Sequence, residues 1–144
     1  EECLMRKNLP VTDIGRTFSV DKFLVSKTDT KGVITYCNKQ FIELAGYEEE
    51  ELLGAPHNIV RHPDMPEAAF ADLWRTVQSG REWQGIVKNR CKNGDYYWVD
   101  AQVTPSFNGS GDLVGYMSVR RKPTQDQIDS AVALYAQMRT EEGR

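Results

Sequence analysis

The chain has 144 residues, 40% of them hydrophobic and 27% charged, and 18 Lys plus Arg against 21 Asp plus Glu give a net charge of −3. A chain of this size buries roughly 68–70% of its unfolded surface, enough for one core without a disulfide or metal staple. The composition excludes collagen-like, low-complexity and wholly disordered classes, the charge lacks the basic footprint of a nucleic-acid binder, and apolar runs are too short for a membrane-spanning helix or a signal peptide.

Glu1-Glu2-Cys3-Leu4 (residues 1–4) reads as a remnant ahead of a native start at Met5, and residues 5–21 as an irregular N-terminal cap. Phe23 to Ser26 and Val33 to Cys37 are two short strands, joined through the turn Asp29-Thr30-Lys31-Gly32 into a hairpin. Asn38 is a natural N-cap for a short helix carrying Phe41, Ile42, Leu44 and Ala45 and stopped by Gly46. Glu48 to Leu53 repeats that design up to Gly54. Ala55 to Pro66 holds Pro56, Pro63 and Pro66 and is therefore neither regular helix nor central strand. Pro66 suits the first turn of a longer helix over about residues 66–79, whose apolar stripe is Phe70, Leu73, Trp74 and Val77.

Three long strands follow. Trp83 to Lys92, the Asn93-Gly94 hairpin turn, Tyr96 to Phe107, a second turn at Asn108 to Asp112, and Leu113 to Arg121 form a meander. Pro123 ends the sheet, and Thr124-Gln125-Asp126-Gln127 has capping-box form for a last helix with Ile128, Ala131, Val132, Tyr135 and Met138 on one side. This order predicts an α+β fold: a five-stranded antiparallel sheet with helices on one face, enclosing a cavity. Residues 22–122 form the domain, and residues 123–144 a C-terminal helix and linker.

The cysteines Cys3, Cys37 and Cys91 are odd in number and show no CxxC spacing, which fits a reducing compartment. His57 and His62 have no thiolate at ligand spacing, so a zinc site is not expected. Strand alternation places Trp83, Gly85, Val87, Asn89 and Cys91 on one face, matched by Tyr97, Val99, Ala101 and Val103 on the next strand. An amide on that apolar face either satisfies a nearby backbone group or hydrogen-bonds the edge of a planar ligand. In the loop Arg61-His62-Pro63-Asp64-Met65-Pro66, Arg61 can take a phosphate in bidentate geometry, and Asp64 can orient Arg61 or accept from a ribose hydroxyl; the plainer alternative is a solvated loop with a local ion pair. Trp74 and Trp83 are expected to point inward, as core or as flat walls for a flat ligand. No catalytic constellation or phosphate-binding glycine loop emerges, so the chain reads as a binding or sensing module and not an enzyme.

The element order, with the string His57-Asn58-Ile59-Val60-Arg61-His62-Pro63-Asp64-Met65-Pro66, the run Ala68 to Trp74, and the stretches Gly85 to Arg90, Lys92 to Asp95 and Tyr97 to Val99, resembles the PAS domains of aerotaxis receptors over essentially the whole chain. The resemblance implies a PAS fold that holds FAD noncovalently and reports redox state to a chemotaxis output. It carries roles in cofactor binding or signalling onto Arg61, His62, Asp64, Trp74 and Asn89, and a role in flavin retention onto Asn38. With the faces read above, Trp83 and Tyr97 join the expected site. Flavin reduction is expected to change hydrogen bonding near Asn89, whose amide can turn between donor and acceptor. Light-sensing flavin domains have a second amide where this chain has Val99, and no cysteine lies between Ala55 and Pro66, so a cysteinyl adduct is not expected. FMN and haem are alternative cofactors, with His62 as the haem ligand of a gas sensor; a cofactor-free interaction module is a further alternative. The resemblance also implies a cytoplasmic domain of a receptor anchored in the inner membrane, with receptor domains beyond residue 144, a PAS homodimer as one partner, and no membrane contact by this fragment.

Overall fold

Residues 96–106 alternate strictly between half-buried and buried positions, with Tyr97, Val99, Ala101 and Val103 inward. That period of two makes this strand the spine of the sheet. The computed structural model describes residues 8–144; the readings placed on residues 1–4, on Cys3 and on Met5 lie outside them. The elements are β1 (Gly15–Arg16), β2 (Leu24–Thr28), β3 (Ile34–Cys37), α1 (Lys39–Ala45), α2 (Glu49–Leu52), a 3-10 turn (His57–Val60), α3 (Glu67–Gln78), β4 (Trp83–Arg90), β5 (Tyr96–Phe107), β6 (Leu113–Arg121) and α4 (Gln125–Glu141).

The antiparallel ladders join β4 to β5, β5 to β6, β6 to β2 and β2 to β3. The five expected strands are present, and the sheet has a sixth. β1 pairs in parallel with the start of β5, Gly15 opposite Tyr96 and Arg16 opposite Tyr97, so the N-terminal cap is not wholly irregular and the sheet is mixed. The close approach depends on Gly15, where a Cβ would sit 2.8 Å from the Tyr96 ring. Two residues carry no periodicity, which is why pattern reading does not find this strand.

The segment before β1 is tied to the β4–β5 hairpin. Asp95 accepts from the Thr12 hydroxyl at 2.6 Å and from Arg16 Nε at 3.0 Å, and Arg90 Nε donates to the Pro10 carbonyl at 2.8 Å. The core beneath the sheet is built on Leu24, Ile34, Phe41, Leu52, Val77 and Val99, all fully buried. The side chains Phe70, Leu73 and Trp74 of α3 pack against it. The last helix, α4, docks through buried Ala131 and Tyr135, and the Tyr135 hydroxyl donates to the Ile86 carbonyl of β4.

Asn38 is occupied structurally. Its Oδ1 accepts from Phe41 N at 3.1 Å, capping α1, and from Val25 N at 3.0 Å, while Nδ2 donates to the Phe23 carbonyl at 2.9 Å. One amide thereby joins the α1 start to the β2 edge. Asn38→Ala is expected to cost about 1–2 kcal/mol of stability, read as a lower urea midpoint with an unchanged slope.

Candidate functional site: a cavity under the sheet

The inner face of the sheet, the turn around His57–Arg61 and helix α3 enclose a cavity. The free space inside it is about 120 Å³, below the range of about 300–1,000 Å³ usual for small-molecule and cofactor pockets. α3 contributes Phe70, Leu73, Trp74 and Val77; the sheet contributes Val87, Ala101, Val103 and Tyr116. These make an apolar wall. The polar lining comes from Ser26, Ser118 and Arg120 on the sheet and from His57, Asn58 and Arg61 in the turn, with Asn89 on β4.

Arg120 organises the polar end. It is 3% exposed. Nη1 donates to Ser118 Oγ at 2.7 Å and Nη2 to Ser26 Oγ at 2.9 Å, and the guanidinium carbon lies 4.6 Å from the centre of the Phe41 ring. Among the described residues no carboxylate stands within ion-pair distance of it, and Nε has no hydrogen-bond partner. Burial lowers its pKa, against the opposing influence of the Tyr97 hydroxyl and the Cys37 thiol. His57 Nε2 lies 2.9 Å from Ser26 Oγ and 3.3 Å from Arg120 Nη1, so it serves as an acceptor and the ring is neutral. Burial, then the Arg120 charge, push the His57 pKa down to about 3. The ring also stacks on Phe41, at 6.0 Å and 11°.

Arg61 enters from the turn, is 6% exposed, and lays its guanidinium 3.8 Å from the centre of the Phe70 ring. Its backbone bridges to Asn89 at the edge of β4. Asn8 holds this turn from the N-terminal side, its Nδ2 donating to the carbonyls of Asn58 at 3.0 Å, Ile59 at 3.3 Å and Arg61 at 2.8 Å. Trp74 meets Tyr116 edge to face at 5.4 Å and covers Gly32, whose φ of +85° favours glycine and where a Cβ would lie 3.1 Å from the Trp74 ring.

Of the eight residues singled out from sequence, Arg61, Trp74 and Asn89 line the cavity and Asn38, His62, Asp64, Trp83 and Tyr97 do not. The loop crosses the edge of β4, which separates neighbours in sequence. His62 lies beyond the edge, its ring edge-on to Tyr96 at 6.4 Å and its Nδ1 accepting from Asp64 N at 3.0 Å. Burial, then the charge of Lys88, hold its pKa down at about 4. Asp64 pairs with Lys88 Nζ at 2.9 Å instead of with Arg61; burial raises its pKa, but the Lys88 bond and charge outweigh this and keep it low. Trp83 donates Nε1–H to Asp72 Oδ2 at 2.9 Å. Its ring lies over Gly85, where a Cβ would fall 2.4 Å away, and it faces a groove between β4, α3 and α4. Tyr97 is wholly buried at 0% exposure, and burial pushes its pKa up.

Sequence reasoning missed Ser26, His57, Tyr116, Ser118 and Arg120. The signal existed for the last three: Tyr116, Ser118 and Arg120 sit two apart on β6, so alternation puts them on one face. His57 joins them only through the fold of the proline-rich turn.

These features define an α+β domain with a cavity between its sheet and helices. The chain belongs to the PAS fold family, which it matches over residues 34–120. It is 47% identical over 130 residues to the aerotaxis receptor of Escherichia coli (strain K12), a match covering 90% of this chain and 24% of that protein. It is 30% identical over 97 residues to a nitrogen fixation regulatory protein of Klebsiella pneumoniae, covering 67% of this chain and 20% of that one. The chain thus spans about a quarter or less of these relatives. Among solved structures it is similar to a PAS domain from Colwellia psychrerythraea, with 25% identity, TM-score 0.64, and coverage of 72% of this chain and 87% of that one. It also resembles the light-oxygen-voltage domain of a flavin-analogue study, with 23% identity, TM-score 0.65, and coverage of 83% and 87%. No helix among the described residues is long and apolar enough to cross a membrane.

The neutral histidines give the fold an acid-side signature. Unfolded His57 and His62 take protons near their usual pKa of 6.5, whereas the folded chain resists until about 3 and about 4. Stability is therefore full above about pH 6.5 and falls as pH drops through that window, because the unfolded state binds more protons. Urea unfolding from pH 7.5 to 4.5 is expected to show this fall, and a His57→Gln variant a shallower one.

Proposed function

We propose that this chain is the sensory PAS domain of an aerotaxis receptor, which holds FAD noncovalently in the cavity and passes the flavin's redox state to a chemotaxis output. The observation that carries the reading is the cavity's division into an apolar aromatic wall and a polar end. At that end a buried guanidinium has no carboxylate partner among the described residues and keeps an unused N–H at Nε. This chemistry fits a flat heteroaromatic ring with carbonyl and ring-nitrogen acceptors along one edge. Arg120 and Asn89 would meet that edge, and Phe70, Leu73 and Trp74 its faces. Arg61 would take a phosphate of the flavin's side chain in charge-assisted hydrogen bonds, with the α3 wall moving outward to admit the ring.

A bound flavin supplies a reversible change in ring charge and in hydrogen-bonding pattern. The protein's part is to distinguish the two states, since a ligand shifts an equilibrium only through differential contacts. Asn89 offers such a contact through amide rotation, and its backbone bridge to Arg61 places the response in the turn as well as the sheet. The relatives' roles as receptor and regulatory proteins support a sensor rather than an enzyme. They also support a parent protein in which this domain works with other receptor domains; a cytoplasmic position and a PAS homodimer belong to the same proposal. Haem is less well supported, because His62 lies outside the cavity with Nδ1 already accepting from Asp64 N.

Reconstitution with FAD, followed by absorbance in the flavin bands and mass spectrometry of the released cofactor, tests the reading. Yellow protein releasing FAD is the expected result; colourless protein overturns it. Arg61→Ala and Asn89→Ala are expected to weaken FAD binding about 10-fold or more, the usual cost of one hydrogen bond to a charged or buried polar group. Wild-type protein is expected to show no haem Soret band, and His62→Ala to leave the flavin spectrum in place.

A further inference from the structure

Helix α3 carries Phe70, Leu73 and Trp74 into the cavity wall, yet it begins without a cap of its own: Pro66 stands at its N-cap and offers no side-chain acceptor. The acceptor comes from the far end of the chain. Glu142 Oε1 accepts from Glu67 N at 3.1 Å, and Oε2 from Ala68 N at 2.9 Å. A carboxylate there satisfies orphan amides and complements the helix dipole. The same turn grips the loop that leads into α3. Arg139 Nη1 donates to the Asp64 carbonyl at 2.6 Å. Arg144 donates to the carbonyls of Met65, at 3.1 Å, and Pro63, and pairs with Glu142 at 3.3 Å.

The grip is polar and sits at the surface, with Arg144 and Glu142 side chains 25% and 19% exposed. Behind it α4 buries only Ala131 and Tyr135, while Val132 and Leu134 face solvent. An open groove runs between α4, α3 and β4. Contacts of this kind are individually modest.

We propose that Glu142, with Arg139 and Arg144, is a latch that makes the docking of α4 and the order of the α3 cavity wall a single equilibrium. Glu142 is a positioning residue: it lines no part of the cavity and acts through the first turn of α3. Filling the cavity tightens the latch, and opening the latch loosens the ligand by the same factor, as linkage requires. The inference rests on the cavity being the flavin site proposed above.

The test uses the full chain and two readouts, amide hydrogen exchange at Glu67 and Ala68 and the Kd for FAD, in the wild type, Glu142→Ala, and the control Glu141→Gln on the neighbouring exposed residue. Glu142→Ala is expected to speed exchange at both amides and weaken FAD about 3- to 10-fold, the scale of a helix-capping carboxylate with charge-assisted bonds. FAD is expected to slow exchange at the same amides in the wild type, and Glu141→Gln to change neither readout. Unchanged exchange in Glu142→Ala overturns the latch, and faster exchange with unaltered FAD affinity overturns the coupling. If wild-type protein binds no FAD, the reading of the cavity fails separately. The exchange arm alone then decides the latch: spread of lost protection along α3 as far as Trp74 sustains it, and confinement to the first turn overturns it.

Discussion

The buried guanidinium of Arg120 is the constraint around which the interior is arranged. Taking a charge out of water is costly unless hydrogen bonds replace its hydration. Here two serine hydroxyls and an aromatic face do so, with no carboxylate at ion-pair distance among the described residues. The hydroxyls come from neighbouring strands β2 and β6, and the ring from α1, so one side chain specifies how three elements meet. Burial and then this charge keep His57 neutral, which lets the proline-rich turn lie against the sheet without a second cation inside. A cavity survives because its polar end is solvated by the protein itself rather than filled with apolar side chains.

Local chemistry made most of the fold legible. The Asn93-Gly94 turn, the proline at the head of α3, the Asn38 cap and the Thr124 capping box each carry a short-range physical cause, and the elements lie where those causes put them. β1 was invisible because two residues paired in parallel to a distant strand leave no periodic trace. The site was legible only in part, for a related reason. Arg61, Trp74 and Asn89 could be placed from faces and resemblance, and they line the cavity. Trp83 could not, since alternation fixes the face of a strand but not which neighbour covers its end; there the cover is α3 and α4 rather than the cavity. The Ser26–His57–Ser118–Arg120 group draws one residue from β2, one from the turn and two from β6, so only the assembled sheet brings it together.

The helical side of the cavity has a different character from the sheet side. The sheet is held by long ladders in register. The turn and α3 pack on the core through Val60, Ala69 and Val77, but at their solvent side they are fastened by side chains from both ends of the described chain: the Asn8 amide on the turn and the Glu142 carboxylate on α3. Walls fastened by a few hydrogen bonds open at lower free energy than a strand inside a sheet. A domain of this construction keeps a stiff surface on one side of its cavity and a more loosely fastened one on the other.

Arg61 and His62 are consecutive, yet one guanidinium lies inside the cavity against Phe70 and the other ring lies beyond β4 against Tyr96. The backbone at Arg61 is pinned to the edge of β4 at Asn89. That single bridge sorts two neighbours in sequence onto opposite sides of the sheet, so the same short loop contributes a cation to the interior and an aromatic contact to the outer face.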